Sequence, residues 1–111
     1  MNPGKFSLSL AVSDIEKSVA FYEALGFTPM PSCGSVEDKW LILEQGNTMI
    51  GLFEGMFDKN ILTFNPSDVR AVEKTLRERG IVPDVAVQGE SGPGHCMVTD
   101  PDGNPVMFDQ F

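Results

Sequence analysis

The sequence predicts an α+β fold made of two tandem βαβββ modules, and three observations support this prediction. First, the chain has 111 residues, of which 41% are hydrophobic and 22% charged, as in ordinary globular domains. Second, a shift of 54 positions aligns Ser13-Asp14 with Ser67-Asp68 and Gly26 with Gly80, so the sequence repeats internally. Third, alternating and helix-periodic segments follow in the same order in both halves. We expect one domain over residues 1–111, with modules at about 1–56 and 57–111.

Each module opens with a strand and a helix. Alternation predicts strands at Phe6–Val12 and Ile61–Asn65. Ser13 followed by Glu16 has the pattern of a capping box at the first helix, and Gly26 stands where a left-handed residue would end it. The apolar faces of the two helices are formed by Ile15, Val19 and Tyr22, and by Val69, Val72 and Leu76.

A Pro-containing extended run and then a hairpin complete each module. The hairpin strands are predicted at Lys39–Glu44, Thr48–Phe53, His95–Thr99 and Pro105–Asp109. Period-two alternation places small, mildly polar and sulfur-containing side chains on the sheet face away from the helices. Such a face is typical of a curved mixed sheet with the helices outside and room for a ligand inside.

Charge and cysteine content limit the partners and the compartment. The net charge of -8 repels phosphate backbones and anionic lipids, so we expect neither nucleic acid nor membrane as a partner. Apolar stretches are far shorter than the roughly 20 residues that span a bilayer, and the N-terminus carries no apolar signal region. Cys33 and Cys96 lie 63 residues apart without CxxC spacing, which indicates free thiols in a reducing compartment. A cytoplasmic location is expected.

Two motifs resemble a known family. The segment LAVSDIEKSVAFYEALGF from Leu10 to Phe27 and the DPDGN turn from Asp100 to Asn104 are similar to the vicinal oxygen chelate superfamily, which includes glyoxalase I, extradiol dioxygenases and bleomycin-resistance proteins. The resemblance covers essentially the whole chain. The pattern is closest to the metal-free members that resemble bleomycin-resistance proteins. It implies two βαβββ modules whose sheets together form a cup.

The resemblance also implies which positions would hold a metal. Enzymes of the family bind a divalent ion through His and Glu from strands one, four, five and eight, and the corresponding residues here are Ser7, Gly51, Ile61 and Met107. None can ligate a hard or borderline cation. A Met thioether suits Cu(I) at best, and one alone is not a site. We therefore expect no metal, no cofactor and no chemistry that depends on a metal-bound oxygen.

Trp40 and the methionines are candidates for ligand contact. The segment that begins at Trp40 looks like the Trp-containing third strand of bleomycin-resistance proteins, and its ring would stack on a planar or cationic ligand; the alternative is a core or dimer-interface Trp. Met49, Met97 and Met107 either line an adaptable pocket or fill the core. The acidic residues Glu37, Asp38 and Glu44 either favour a cationic ligand or form a solvated edge.

His95 is the only histidine. By resemblance to fosfomycin-resistance relatives, His95 and Met97 face the cup, where His95 would act as a base or a hydrogen-bond partner; the alternative is a rim histidine bonded to backbone or water. Spacing reveals no partner carboxylate or nucleophile, so no catalytic residue is predicted. The Gly89–Gly94 segment has an acidic residue where a phosphate loop needs a donor, and we interpret it as a mobile flap.

Three functions remain open at this point. The first is a metal-independent protein that binds and sequesters a small, cationic or aromatic organic compound. The second is a metal-independent enzyme that uses His95, and the third is a non-catalytic structural dimer whose cup is filled. We expect a homodimer, because relatives with two modules usually pair and exposed sheet edges invite association. Gly51 is expected to leave space in the cup, unless its neighbours already fill it. The predicted ligand-binding residues are Ser7, Ser9, Trp40, Met49, Gly51, Thr63, His95, Met97 and Met107.

Overall fold

The computed structural model describes the whole chain, Met1–Phe111. It contains, in order, β1 (Lys5–Val12), α1 (Ile15–Ala24), β2 (Thr28–Ser35), β3 (Trp40–Gln45), β4 (Thr48–Glu54), β5 (Ile61–Asn65), α2 (Val69–Glu78), β6 (Gly94–Thr99) and β7 (Pro105–Gln110). The residues form two compact units, here called the N-terminal unit (Ser7–Asn60) and the C-terminal unit (Met1–Phe6 with Ile61–Phe111). The predicted α+β class and the order of strands and helices in two modules are confirmed.

In the N-terminal unit the strand order is β2-β3-β4-β1. Strand β1 runs parallel to β4, with Leu8 opposite Ile50, and β3 runs antiparallel to both β2 and β4. Helix α1 covers one face, where the buried core consists of Ile15, Phe27, Leu41, Leu43, Ile50 and Leu52. Leu10 and Val12 pack against this core, so the predicted alternation on the first strand is confirmed.

In the C-terminal unit the strand order is β5-β7-β6, with β5 parallel and β6 antiparallel to β7. The core under α2 consists of Val69, Val72, Leu76, Cys96, Val98 and Phe108. The extended run after α2 makes only one bridge, between Val85 and Met97, and no strand. Two residues further on, the amide of Val87 donates to the Glu73 carboxylate at 3.1 Å. Because the Val87 amide is bonded to Glu73 of α2, it is not available for pairing with β6. The extended run therefore does not continue along the sheet edge, and the unit has three strands.

Both helices begin at the aspartate of the repeated Ser-Asp pair. Asp14 is the N-cap of α1 and accepts from the Lys17 amide at 3.3 Å, and Asp68 caps α2 by accepting from the Arg70 and Ala71 amides at 3.1 Å. The expected cap at Ser13 is therefore wrong by one residue. A carboxylate is the better cap at this position because its charge also complements the helix dipole. Gly26, with φ +100°, has the predicted left-handed conformation.

A side chain from the end of a strand binds the first turn of each helix. Glu54, at the end of β4, accepts from the Ile15 amide at 3.0 Å and pairs with the Lys39 ammonium at 3.2 Å. Gln110, at the end of β7, accepts from the Val69 amide at 2.9 Å. The amide of Ile15, followed by Lys39, lowers the pKa of Glu54. The two modules thus attach helix to strand by the same device.

We expect Glu54→Gln to destabilise the protein at neutral pH, because the amide keeps an acceptor for Ile15 but loses the charge that Lys39 pairs with. Since folding lowers the pKa of Glu54, its contribution is present above the ordinary glutamate pKa and is lost as the pH falls through the lower folded value. Urea unfolding at a series of pH values should therefore show the variant and wild type converging in acid. Glu37→Gln, at an exposed position, is the control. Equal urea midpoints at neutral pH would contradict this role.

Candidate functional site

The sheet face away from α1 carries the predicted residues of the N-terminal unit. Leu41, Leu43, Ile50 and Leu52 point into the core, so alternation places the remaining side chains of β3 and β4 on the opposite face. That face includes Trp40, Ile42, Glu44, Met49, Gly51 and Phe53, with Ser7 and Ser9 on β1. The register pairs Gly51 with both Ser9 and Ile42.

Gly51 does not leave open space. A Cβ atom added there would lie 2.6 Å from Cε2 of Phe53 and 3.0 Å from Cδ1 of Ile42. The expected opening is therefore wrong at this position, and the alternative of close packing is correct. The physical reason is that the Phe53 ring, two residues along the same strand, lies over the glycine.

The aromatic side chains of this face form what we call the aromatic shelf, consisting of Trp40, Phe53 and Phe57. The rings of Trp40 and Phe53 are stacked, with centroids 6.2 Å apart and planes 7° apart, and Phe57 lies 5.2 Å from Phe53. Gly34 allows the close approach of Trp40, because a Cβ there would lie 2.8 Å from the indole ring. All three aromatics are half-buried, so part of the shelf is open to solvent.

The small polar residues of the prediction are closed to solvent. Ser7, Ser9 and Thr63 are 6%, 2% and 5% exposed. Leu8 and Leu10, which alternate with the serines along β1, are only half-buried. Direct contact between a ligand arriving from solvent and these three polar side chains would require the structure to open.

Two cross-strand pairs stand on the C-terminal hairpin. Met97 lies opposite Met107, and His95 lies opposite Asp109. Cys96, Val98 and Phe108 point into the core under α2, so alternation places these four side chains on the opposite face. His95 is exposed, and the other three are half-buried. The predicted residues therefore divide between the units, with Ser7, Ser9, Trp40, Met49 and Gly51 on one and Thr63, His95, Met97 and Met107 on the other.

Asp109, which the spacing did not reveal, is a carboxylate directly opposite His95 on the hairpin. Partial burial raises the pKa of Asp109, and the nearby charge of His95 acts in the opposite direction. The signal was present in the sequence, because a hairpin closed by the Asp100–Asn104 turn pairs Thr99 with Pro105 and, four residues further out, His95 with Asp109. The register set by this turn therefore predicts that His95 and Asp109 are paired.

The glycine-rich segment expected to be a mobile flap is attached to α2 by Arg70. The guanidinium donates to the carbonyl oxygens of Gln88, Gly89, Ser91 and Gly92 at 3.0, 3.1, 3.2 and 2.7 Å. Four carbonyls on one cation fix the path of the segment into β6. The sequence contained no signal for this contact, because it depends on which residue of α2 faces the loop.

The residues that the family resemblance aligns with metal ligands are Ser7, Gly51, Ile61 and Met107. Nowhere in the structure do three His, Cys, Asp or Glu side chains converge. Cys33 is half-buried and Cys96 buried, and both are free thiols. Burial raises the pKa of Cys96 to about 11, so it is inert at neutral pH. Neither helix has the length and apolar character needed to cross a membrane.

A surface cavity of about 220 Å³ lies elsewhere in the C-terminal unit. It is lined by Met1, Asn2, Ser67, Asp68, Ala71, Val72 and Thr75. None of the predicted ligand-binding residues borders it. The Asp68 carboxylate in its wall already caps α2, so this cavity contributes nothing to the candidate site.

We expect Gly51→Leu to destabilise the protein by about 1 to 3 kcal/mol, because the added side chain meets Phe53 and Ile42. Gly51→Ala should cost less, since only one methyl group must be accommodated. Thr48→Leu, at an exposed position on the same strand, controls for the change in strand propensity. Chemical denaturation measures all three, and a Gly51→Leu variant as stable as wild type would show that the space is open.

Comparison with known proteins identifies a matching protein family. The family model of the glyoxalase/bleomycin resistance protein/dioxygenase superfamily matches residues 6–108. No functionally curated protein matched the sequence.

Several solved structures share the fold. A superfamily member from Vibrio splendidus 12B01 is 19% identical with a TM-score of 0.72, covering 96% of this chain and 98% of that one. A protein described as NAD-dependent benzaldehyde dehydrogenase from Legionella pneumophila is 15% identical, with a TM-score of 0.76 and the same coverages of 96% and 98%. Methylmalonyl-CoA epimerase from Mycobacterium tuberculosis is 16% identical, with a TM-score of 0.68 and coverages of 94% and 85%. At these identities the similarity concerns the fold alone, and it agrees with the family model that matches nearly the whole chain: this protein belongs to the glyoxalase/bleomycin resistance protein/dioxygenase superfamily.

Proposed function

We propose that this protein is a metal-independent member of the superfamily that binds and sequesters a small cationic or aromatic compound, in the manner of bleomycin-resistance proteins. The observation that carries the proposal is the partly exposed aromatic shelf with an acidic residue on the same sheet face. Trp40 and Phe53 stack in parallel, and Glu44 follows Trp40 by four residues on β3. A planar cation would meet the ring faces, and the Glu44 carboxylate, about 13 Å further along the strand, would attract it from a distance.

The chemistry of these groups favours a cation over a neutral or anionic ligand. Ring faces carry negative quadrupole charge and attract cations, with a contribution of about 0.5 to 2 kcal/mol per contact. Glu44 is half-buried, so its charge is less screened than that of a fully exposed group. The net charge of -8 also concentrates cations near the surface. Because Phe53 covers Gly51, the proposed ligand would lie on the shelf and not beneath it.

The residues at the family's metal positions support metal independence. Ser7, Gly51, Ile61 and Met107 offer no imidazole or carboxylate, and divalent ions need several such donors on one point. Such a site could still bind a ligand that does not need to be coordinated to a metal.

Trp40 is the only tryptophan, so its fluorescence reports the shelf directly. We expect a planar aromatic cation, such as an acridinium dye, to quench it saturably with one dye per chain, and an anionic dye of similar ring size to bind more weakly. In calorimetric titrations, Trp40→Leu should weaken binding about 3- to 30-fold, and Glu44→Gln, whose charge acts from further away, by a smaller factor. Glu23→Gln, an exposed acidic position on α1 across the sheet, should leave binding unchanged. Absence of saturation with the cationic dye, or equal losses in the Glu44 and Glu23 variants, would refute the proposal.

Zinc, nickel, manganese and ferrous ions should leave the melting temperature unchanged. Binding to the native state at a hundredfold excess over Kd would stabilise it by about 2.7 kcal/mol, and the donors for such binding are missing at Ser7, Gly51, Ile61 and Met107. Thermal unfolding with each ion, with and without EDTA, measures this. An increase of several degrees that EDTA abolishes would show that the protein uses a divalent metal.

A second candidate is a metal-independent enzyme that uses His95. The observation that favours it is the position of Asp109 directly opposite His95 on the hairpin, since a carboxylate beside an imidazole is a common arrangement for a general base. Sequestration predicts stoichiometric binding without turnover. The enzyme predicts turnover that is lost in both His95→Gln and Asp109→Asn.

We also propose that the protein is a homodimer associated through the exposed apolar residues of the extended run that flanks β6. This strand is at the end of the order β5-β7-β6, and nearby Ile81, Val82 and Val85 are 43%, 72% and 41% exposed. The other candidate edge, β2, contains Pro29 and Pro31, which lack the amide needed for pairing. Sedimentation at micromolar concentration should give twice the monomer mass of 12.1 kDa. Val82→Asp should shift the species toward monomer; a monomeric wild-type protein would overturn the proposal.

The proposed location is the cytoplasm. Two free thiols, one of them half-buried, fit a reducing compartment.

A further inference from the structure

We infer that the β6–β7 hairpin carries a binding site for a soft monovalent cation, Cu(I) or its redox-inert analogue Ag(I). The proposed ligands are the thioethers of Met97 and Met107 and the imidazole of His95. This site lies in the C-terminal unit, apart from the residues of the aromatic shelf, and its existence does not depend on the function proposed above.

The register brings the three ligands together. Met97 lies opposite Met107, and the next pair on the same face is His95 with Asp109. Side chains directly opposite each other have Cβ atoms about 4.5 to 5.5 Å apart, and successive same-face pairs are about 6.7 Å apart along the strand. Four side chains thus stand at the corners of a small rectangle. Methionine has three rotatable bonds, so both sulfurs can turn toward one ion.

The ligands are accessible and their backbone is fixed. His95 is exposed and both methionines are half-buried, so an ion reaches them without opening the core. On the other side of the sheet, Gln110 binds the first amide of α2 at 2.9 Å, and Arg70 holds the loop that leads into β6. The hairpin is therefore fastened at the end that carries His95 and Asp109, which reduces the ordering cost of binding an ion.

The donor set selects the ion. Thioether sulfur is soft and favours Cu(I), whereas imidazole serves many transition metals. The Asp109 carboxylate stands beside the site and would offset the single positive charge. For Zn(II) the same face offers only His95 and Asp109 as ligands. Zinc sites usually have four ligands, which are cysteine thiolates, imidazoles, carboxylates or water. The site should therefore take a soft monovalent ion and reject divalent ions.

Thiols are the main competitor for such an ion and must be removed from the test. Cys33 is a half-buried free thiol, while Cys96 is fully buried in the core under α2. Thiolate binds Cu(I) and Ag(I) more strongly than thioether. The methionine variants are therefore made in the full chain carrying Cys33→Ser, and this parent is compared with the wild-type chain.

The probe is Ag(I) in chloride-free buffer, followed by NMR. We expect saturation at one ion per chain, with shifts of the imidazole protons of His95, the only histidine, and of two methionine methyl groups. Met97→Leu and Met107→Leu keep the side-chain volume. Each should lower the affinity for Ag(I) at least about tenfold, because a loss of that size is typical even for groups that only hydrogen-bond to a metal ligand. Met49→Leu, on β4 opposite Glu44, is the matched control and should bind as tightly as its parent.

Competition of Cu(I) with a chromophoric chelator under anaerobic conditions should give the same order of variants. Loss of binding on Cys33→Ser would assign the ion to the thiol and overturn the site, as would an unchanged His95 spectrum or equal losses in the Met49 and Met97 variants. Zn(II) that displaced Ag(I) at similar concentration would contradict the proposed selectivity.

Discussion

The attachment of each helix to the end of a strand is the constraint on which the rest of the structure depends. Glu54 binds the Ile15 amide from the end of β4, and Gln110 binds the Val69 amide from the end of β7. Each bond joins the helix to the sheet face that it covers. Because side chains alternate along a strand, the residues that do not face the helix remain on the opposite face. The candidate functional residues therefore lie on the face opposite these bonds.

The elements could be predicted from the sequence wherever local pattern and tertiary contact agreed. Alternation identified β5 at its observed ends, Ile61 and Asn65, and the other predicted strands to within about a residue at each end. The segment after α2 shows where pattern fails. Its backbone is extended, but Glu73 takes the Val87 amide and Arg70 takes four carbonyls of the following loop, so pairing stops at Val85. Side chains of α2 thus compete with β6 for the backbone groups of this segment. Which helix residues face the loop cannot be predicted from spacing along the chain.

The candidate site was predictable in composition and less so in shape. The small, polar and sulfur-containing character of the faces followed from alternation, whereas the aromatic shelf and the packing at Gly51 did not. A glycine in a strand is compatible with open space or with a neighbour that lies over it, and only the orientation of the Phe53 ring distinguishes these cases. The His95–Asp109 pair was accessible to sequence reasoning, because the turn at Asp100–Asn104 sets the hairpin register.

The side chains left open on the two faces share one physical property, which is polarizability. On one unit these are the stacked rings of Trp40 and Phe53, and on the other the thioethers of Met97 and Met107. Rings and thioethers interact with large, weakly hydrated cations, because such ions lose little hydration energy when they leave water. Divalent ions hold their water strongly and need several charged or imidazole ligands to replace it. The residues that the family resemblance aligns with the metal-ligand positions, Ser7, Gly51, Ile61 and Met107, include no such ligand, and on the functions proposed here the chain would discriminate among cations by softness and shape. Net negative charge attracts every cation to the surface, and the polarizable side chains would then decide which of them stay.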